Sequence, residues 1–383
     1  MKRLLVATIA AACSAAAMSA ASAQVKVGVT VSSTGPAASL GIPEKNAVLL
    51  MPAKIGKYDV EYIVLDDASD TSVARRNMGR FITENKVDIV IGSSTTPPSL
   101  AMVELAGQSG TPLLSLGAGI TIIEPMDEQR KWVFKTPYND VTTARATVKD
   151  MQAKGIKTIG FIGFNDGYGE SWWNGLQAAA QGSGIEIVAQ ERYTRTDTSV
   201  AAQVLKVLSK RPDAVVVAAS GTPAVLPQST LRERGYKGVI YQTTGVANED
   251  FLRVGGKNVE GTLIAGAPIT VVKDLPDAHP AKAVATEFND LWEAKYGTGT
   301  MSAFAGYAWD AFLLMQAGIL KAGDAAEPGT AEFRKALRDA IEQTRDIATT
   351  NGLVNMSPTD HNGYSADAPA MITAKEGRWR LAQ

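Results

Sequence analysis

The chain has 383 residues, with 38 Lys and Arg against 39 Asp and Glu, a formal net charge of −1 at pH 7, and 45% hydrophobic residues. This is ordinary globular composition, and the balanced charge, with no basic block interleaved with aromatics, excludes a nucleic-acid or anionic-membrane binder. One cysteine (Cys13) and two histidines (His279 and His361) leave little for thiol or imidazole chemistry.

The first segment, residues 1–23, places Lys2 and Arg3 before an apolar run and ends on Ala21-Ser22-Ala23. That is the pattern of a secretory signal with a small-residue cleavage site, so a mature chain beginning at Gln24 and a periplasmic address are expected. Cys13 falls inside the signal, which leaves the mature chain without a disulfide. The rival reading is a lipoprotein tether through Cys13, but "AAAC" lacks the leucine usual three residues before an acylated cysteine. No later stretch reads as long and apolar enough to span a bilayer. About 360 residues remain, more than one core usually holds, so two domains are expected.

From Gln24 onward the chain alternates between apolar runs and helical patterns. "VKVGVTV", "VEYIVLDD", "VDIVIGSS", "TPLLSLGAG" and "WVFKT" read as strands, with helices over 42–53, 71–84 and 100–108 between them. A second series, "TIGFIGFND", "IEIVAQERY", "DAVVVAAS" and "GVIYQTTG", alternates with helices over 170–181, 199–210 and 223–234. Such alternation calls for parallel sheets covered on both faces, hence two doubly wound α/β lobes. Three late helices, over 282–296, 303–321 and 331–344, have no strand series of their own. The chain is therefore expected to cross back to the first lobe after "TLIAGAPIT" and to cross again near Gly352, ending as a hairpin on the second lobe.

Ligands of open α/β sheets sit beyond the carboxyl ends of the strands. The most distinctive such stretch is "GSSTTPPS", where four hydroxyl residues stand between a strand and a helix opened by Pro97 and Pro98. Free N–H groups and the helix dipole favour an anion there, and hydroxyls add donors without a charge. The lysine and glycine spacing of a phosphate loop is missing, which points to a carboxylate. Simple helix capping is the competing reading. Other strand ends carry hydroxyls, amides and glycines, and none carries a nucleophile with a base beside it. Asp66, Asp67 and Asp70 in "LDDASD" read better as a strand end and a helix cap than as a metal site, and no metal or cofactor is expected.

Taken in order, "KVGVTVSSTGPAASLG", "LDDASDTSVARRN", "GSSTTPPS", "LLSLGAG", "FNDGYGES" and "YQTTGVANEDFLRVGGKNVEGT" resemble the periplasmic solute-binding proteins of branched-chain amino acid type ABC importers across the whole mature chain. The resemblance implies the type I periplasmic binding protein fold, two doubly wound α/β lobes joined by three hinge crossovers. Lobe 1 would comprise 24–137 and 271–350, and lobe 2 138–270 and 351–383. It further implies a carboxylate held at Ser94 and Thr95 and at Ala118 and Gly119, with Ser93 and Thr96 as alternatives in the same row, and Tyr168 closing over the ligand from the second lobe. Where amino-acid binders carry an acidic residue for the ligand ammonium, this chain has Thr244. Where they often carry a second tyrosine and a tryptophan, it has Gly221 with Thr222, and Leu40. A buried ammonium without a counter-charge is costly, so the departures resemble the subgroup that takes aromatic acids and related oxo acids. Leu40, Trp172 or Phe304 would wall such a ligand.

The expectation is therefore a non-enzymatic, monomeric binding protein that captures a small carboxylate and presents it to the membrane permease of an ABC importer. One alternative is an amino-acid binder of the same fold. Another is a secreted α/β hydrolase using Ser94 or Ser220, for which no histidine stands at a strand end.

Overall fold

The computed structural model describes residues 24–382. The expected signal segment and Cys13 lie outside the described residues. The first sheet contains β1 (Gln24–Val31), β2 (Lys54–Ile55), β3 (Tyr58–Asp66), β4 (Ile89–Gly92), β5 (Leu113–Ser115) and β6 (Val133–Lys135), in the order β2-β3-β1-β4-β5-β6. Only the β2–β3 pair is antiparallel. The second sheet contains β7 (Thr158–Phe164), β8 (Glu186–Tyr193), β9 (Ala214–Ala218), β10 (Val239–Gln242) and β11 (Leu263–Ala265). After the short pair β12 (Ile347–Ala348) and β13 (Leu353–Val354), β14 (Met371–Lys375) and β15 (Arg378–Leu381) complete that sheet, in the order β15-β14-β11-β10-β9-β7-β8. The last two strands form the expected terminal hairpin, antiparallel to each other and to β11.

Helices cover both sheets: α1 (Ala38–Val48), α2 (Thr71–Arg80), α3 (Thr96–Ser109), α4 (Asp140–Ala153), α5 (Gly167–Ala180), α6 (Ala201–Ser209), α7 (Val225–Glu233), α8 (Glu249–Gly255), α9 (Lys282–Tyr296), α10 (Ala303–Ala322) and α11 (Ala331–Glu342). The central strand β9 reads as a continuous valine run because helices bury it on both faces, with Val215, Val216 and Val217 fully buried, while Val25, Val27, Val29 and Val31 line one fully buried face of β1.

Two elements differ from expectation. Helix α1 starts at Ala38 and carries Pro43 in its interior, whereas the sequence reading began it at Ile42. The cause is packing: a Cβ on Gly41 would stand 2.2 Å from the Ser32 backbone, so only glycine lets the helix lie this close to the end of β1. Helix α10 is long and apolar enough, by length and composition, to cross a membrane, contrary to the sequence reading. It is a core helix: 78% of its apolar window is buried inside the protein, with Asp310 buried near its middle.

The connection from β6 to α4, the stretch after β11 and the β12–β13 turn lie together and are tied to one another. The Tyr138 hydroxyl donates to the Asn351 carbonyl, and its ring meets Tyr364 edge-on at 4.7 Å. Asp310 accepts the Thr350 N–H and the Asn351 amide, each at 2.7 Å. Helix α10 packs on α1, which sits beside the first sheet.

Candidate functional site

In both sheets the strand order reverses at a central strand, next to β1 in the first and β7 in the second, and crevices open at such switch points. The loops beyond β4, β5, β7, β8, β9 and β10 converge there on a small cavity. Its wall comprises Ser94, Thr95 and Thr96 from the hydroxyl row, Leu116 and Ala118 beyond β5, Leu40, Pro137, Phe304 and Tyr307, and, from the second lobe, Tyr168, Arg195, Ser220, Thr244 and Gly245.

Each hydroxyl in the row has a distinct environment. Ser93 faces away and donates to Asp67 at 2.6 Å; that buried carboxylate also accepts Ser32 Oγ at 2.6 Å and Thr30 Oγ1 at 3.3 Å. Asp70 caps α2 by accepting the N–H groups of Ser72 and Val73 at 2.8 and 2.9 Å. Ser94 Oγ accepts the Ser32 N–H at 2.8 Å and shares a hydrogen bond with the fully buried Glu44 carboxyl. Burial pushes the Glu44 pKa well above the usual carboxylate range. In this pair the Ser94 hydroxyl donates to Glu44 Oε2, which fixes the orientation of Ser94 at the cavity wall. Thr95 is the N-cap of α3 but makes no side-chain cap bond, so its hydroxyl is not spent on the helix. Among the described residues, the Thr95 and Ala118 N–H groups have no protein acceptor. Thr96 accepts the Gly119 N–H at 3.0 Å.

Of the residues singled out from sequence, Leu40, Ser94, Thr95, Ala118, Tyr168 and Thr244 lie together in the wall. Gly119 stands behind Thr96, and Trp172 is buried outside the wall. Gly221 and Thr222 also lie outside it, with Gly221 at the seam between lobes: a Cβ there would stand 2.8 Å from Ser39 Oγ and 3.0 Å from Leu40 Cδ1. A further bond crosses the cleft where Ser171 Oγ accepts the Ile120 N–H at 3.2 Å.

Sequence reasoning missed Arg195 and Tyr307. Arg195 follows β8 by two residues, so the strand-end rule that selected the other loops also covers it. Its guanidinium lies 4.2 Å from the Phe164 ring centroid, with Nε donating to Asp166 Oδ2 at 2.7 Å and Nη1 to Ser220 Oγ at 2.9 Å. Tyr307 lies on α10, where an aromatic in an apolar helix gave no hint of a cleft. The hydroxyls of Tyr168 and Tyr307 and Nη2 of Arg195 are buried without a hydrogen-bond partner. Burial pushes both tyrosine pKa values up, so both remain donors. Neither histidine reaches the wall: His361 stacks on Phe134 at 4.2 Å, with its Nδ1 2.8 Å from the Val133 carbonyl, and His279 accepts the Ala281 N–H at 3.2 Å.

Two lobes with a donor-lined cavity at both switch points define a cleft-closing solute receptor. The chain belongs to the periplasmic binding protein family, whose model matches residues 24–375. It is 25% identical over 354 residues to Leu/Ile/Val-binding protein homolog 3 of Brucella melitensis, a match that covers 89% of each chain. An extracellular ligand-binding receptor from Rhodopseudomonas palustris HaA2 has 45% identity and a TM-score of 0.91, covering 94% of this chain and all of that one. An R. palustris ABC-transporter solute-binding protein crystallised with benzoate shares the fold at 22% identity and a TM-score of 0.78, covering 94% of this chain and 95% of that one. Members of this family bind small molecules and work with ABC-transporter permeases in the periplasm or outside the cell.

Proposed function

We propose that this protein captures a small carboxylate lacking an ammonium group, an aromatic or 2-oxo acid, between its lobes and delivers it to an ABC permease without chemical change. The observation that carries this reading is the charge of the wall: hydroxyls, free N–H groups, one guanidinium, and no carboxylate. An α-amino acid would bury its ammonium facing Arg195 with no counter-ion, at a cost of several kcal/mol. An acid lacking that group takes its carboxylate to the Thr95 hydroxyl and the N–H groups of Thr95 and Ala118, with the Ser94 hydroxyl turning from Glu44 to join them, and lays its body against Leu40, Leu116, Phe304 and Tyr307. Lobe 1 is taken as 24–137 and 271–350, lobe 2 as 138–270 and 351–383. A solute touching both favours the closed state, the form a permease can distinguish from the empty one. Export by the N-terminal signal, without a tether at Cys13, and a monomeric state complete the proposal.

The amino-acid alternative draws support from the Leu/Ile/Val-binding relative. The carboxyl behind Ser94, Glu44, is held towards its neutral form and makes a poor ammonium partner. A hydrolase would need a base beside Ser94 or Ser220, and the wall contains no imidazole.

A thermal-shift panel on residues 24–383 tests the ligand class, comparing benzoate and 2-oxo acids with leucine and isoleucine. A ligand at 100 times its Kd adds about 2.7 kcal/mol and raises the melting temperature by several degrees. A shift with the acids and none with leucine is expected; a shift with leucine alone sinks the proposed class.

A further inference from the structure

We infer that Arg195 and Ser220 form a second acceptor-binding subsite in the far wall, so that the preferred ligand carries an oxygen acceptor at the end remote from its carboxylate. This deepens the proposed carboxylate reading and rests on it. Three observations converge. Arg195 is held rigidly by its own lobe, with Nε on Asp166, Nη1 on Ser220 and its face on Phe164. Asp166 is itself fixed, because its other oxygen accepts the N–H groups of Tyr168 and Gly169 at the start of α5, at 2.9 and 3.1 Å. The remaining nitrogen, Nη2, is buried with no protein acceptor, although Arg195 belongs to the cavity wall.

An unpaired buried donor on a cation is costly, and a bound acceptor removes that cost. Ser220 Oγ receives its hydrogen bond from Nη1, so its own proton is available to the cavity it lines. Two adjacent donors on one lobe, opposite the hydroxyls and free N–H groups of the other, suit a solute with oxygen at both ends. A second carboxylate takes both donors; a ring hydroxyl or carbonyl takes one. An acid with a purely hydrocarbon far end leaves Nη2 unpaired in the closed form. Sites built to pair a ligand oxygen discriminate strongly against analogues lacking it, because their own polar groups are stranded.

The test uses matched probes in calorimetric titrations of residues 24–383: benzoate against 4-hydroxybenzoate and terephthalate, and 2-oxopentanoate against 2-oxoglutarate. In the wild type, the member with the extra oxygen binds at least about tenfold tighter in one series or the other. Arg195→Met brings that ratio close to one, because it weakens the member with the extra oxygen far more than the unsubstituted acid. A loss caused by misfolding would weaken both members alike. Ser220→Ala, which keeps the Arg195–Asp166 pair, lowers the ratio part-way, most for the dicarboxylates. If the acids bind but the unsubstituted member equals or exceeds its partner in both series, the subsite inference is overturned and the carboxylate reading survives. If none of the acids binds, both fall.

Discussion

Ser94 Oγ is hydrogen-bonded to the carboxyl of Glu44, a residue 50 positions earlier on the buried face of α1. Burial holds the Glu44 pKa well above the usual carboxylate range, and Ser94 is the donor in the pair. Glutamine keeps the shape of the side chain, and its amide oxygen accepts the Ser94 hydroxyl in place of the carboxyl oxygen. Glu44→Gln is expected to hold ligand affinity within about threefold, whereas Glu44→Ala destabilises by about 1–3 kcal/mol and weakens binding through a misoriented Ser94. Calorimetric titration and melting of both variants check this; a tenfold loss in Glu44→Gln would mean that the anionic carboxylate matters.

The Tyr168 and Tyr307 hydroxyls have no partner in the protein, so removing either should not weaken the empty form. Tyr168→Phe and Tyr307→Phe are expected to keep or slightly raise the ligand-free melting temperature and to lose about five- to thirtyfold in affinity each, corresponding to one hydrogen bond. A variant that melts lower yet binds normally would show that its hydroxyl serves the fold.

Gly221 tests closure separately from chemistry. At φ +64° and with Ser39 and Leu40 of the opposite lobe in reach, an alanine there is strained and also wedged into the seam. Gly235, at φ +84° with nothing within 4 Å, supplies a control with similar strain and no wedge. Both alanine variants are expected to lose about 1 kcal/mol of stability. Gly221→Ala alone should lose tenfold or more in affinity and fail to compact on ligand addition in small-angle scattering. Equal affinities in the two variants would remove Gly221 from the closure mechanism.

Asp310 links pH to the β12–β13 turn. Desolvation raises its pKa to about 6, against the hydrogen bonds from Thr350, Asn351 and Tyr364 that favour the charged form. The folded state therefore holds this proton more tightly than the unfolded chain does. Stability falls as pH rises from about 4 to about 6 and is flat above, by about 3 kcal/mol at most. Glu44 shifts in the same direction, while Asp66 and Asp213 are shifted down by their hydrogen bonds and favour the fold at higher pH. Because such groups overlap, the informative quantity is the difference between wild type and Asp310→Asn. The wild type's stability relative to the variant should fall as pH rises through this window. Denaturant titrations between pH 4 and 8 measure it, and a constant difference would rule out Asp310 as the titrating group.

Local periodicity was enough to read the strand and helix series, the doubly wound sheets and the terminal hairpin, because a buried parallel strand needs an apolar run wherever it lies in the chain. The strand-end rule pointed to the loops beyond the strands, since a loop's position beyond its own strand is a local property, and the family resemblance singled out Ser94, Thr95, Ala118, Tyr168 and Thr244 within them. Local periodicity did not give the start of α1, where the helix extends back to Ala38 because Gly41 lets it pack closely on Ser32. Nor did it give the environment of α10, whose apolar length satisfies a bilayer and a protein core equally well.

The pairings inside the cleft belong to the tertiary structure. "TRTDTS" reads as a polar surface loop until Phe164 and Asp166, about 30 residues earlier, hold Arg195 in the wall. Tyr307 is one aromatic among several on a core helix until the packing of that helix on α1 turns this face to the cavity. Glu44 behind Ser94 and Gly221 against Leu40 depend likewise on sheet order and lobe closure. By itself the sequence determined the elements, the sheets they build and the loops that border the cleft, because those follow from the spacing of apolar residues and the chemistry of turns. Only the tertiary structure decided which donors are left unpaired there, because a hydrogen bond depends on atoms brought within about 3 Å from distant parts of the chain.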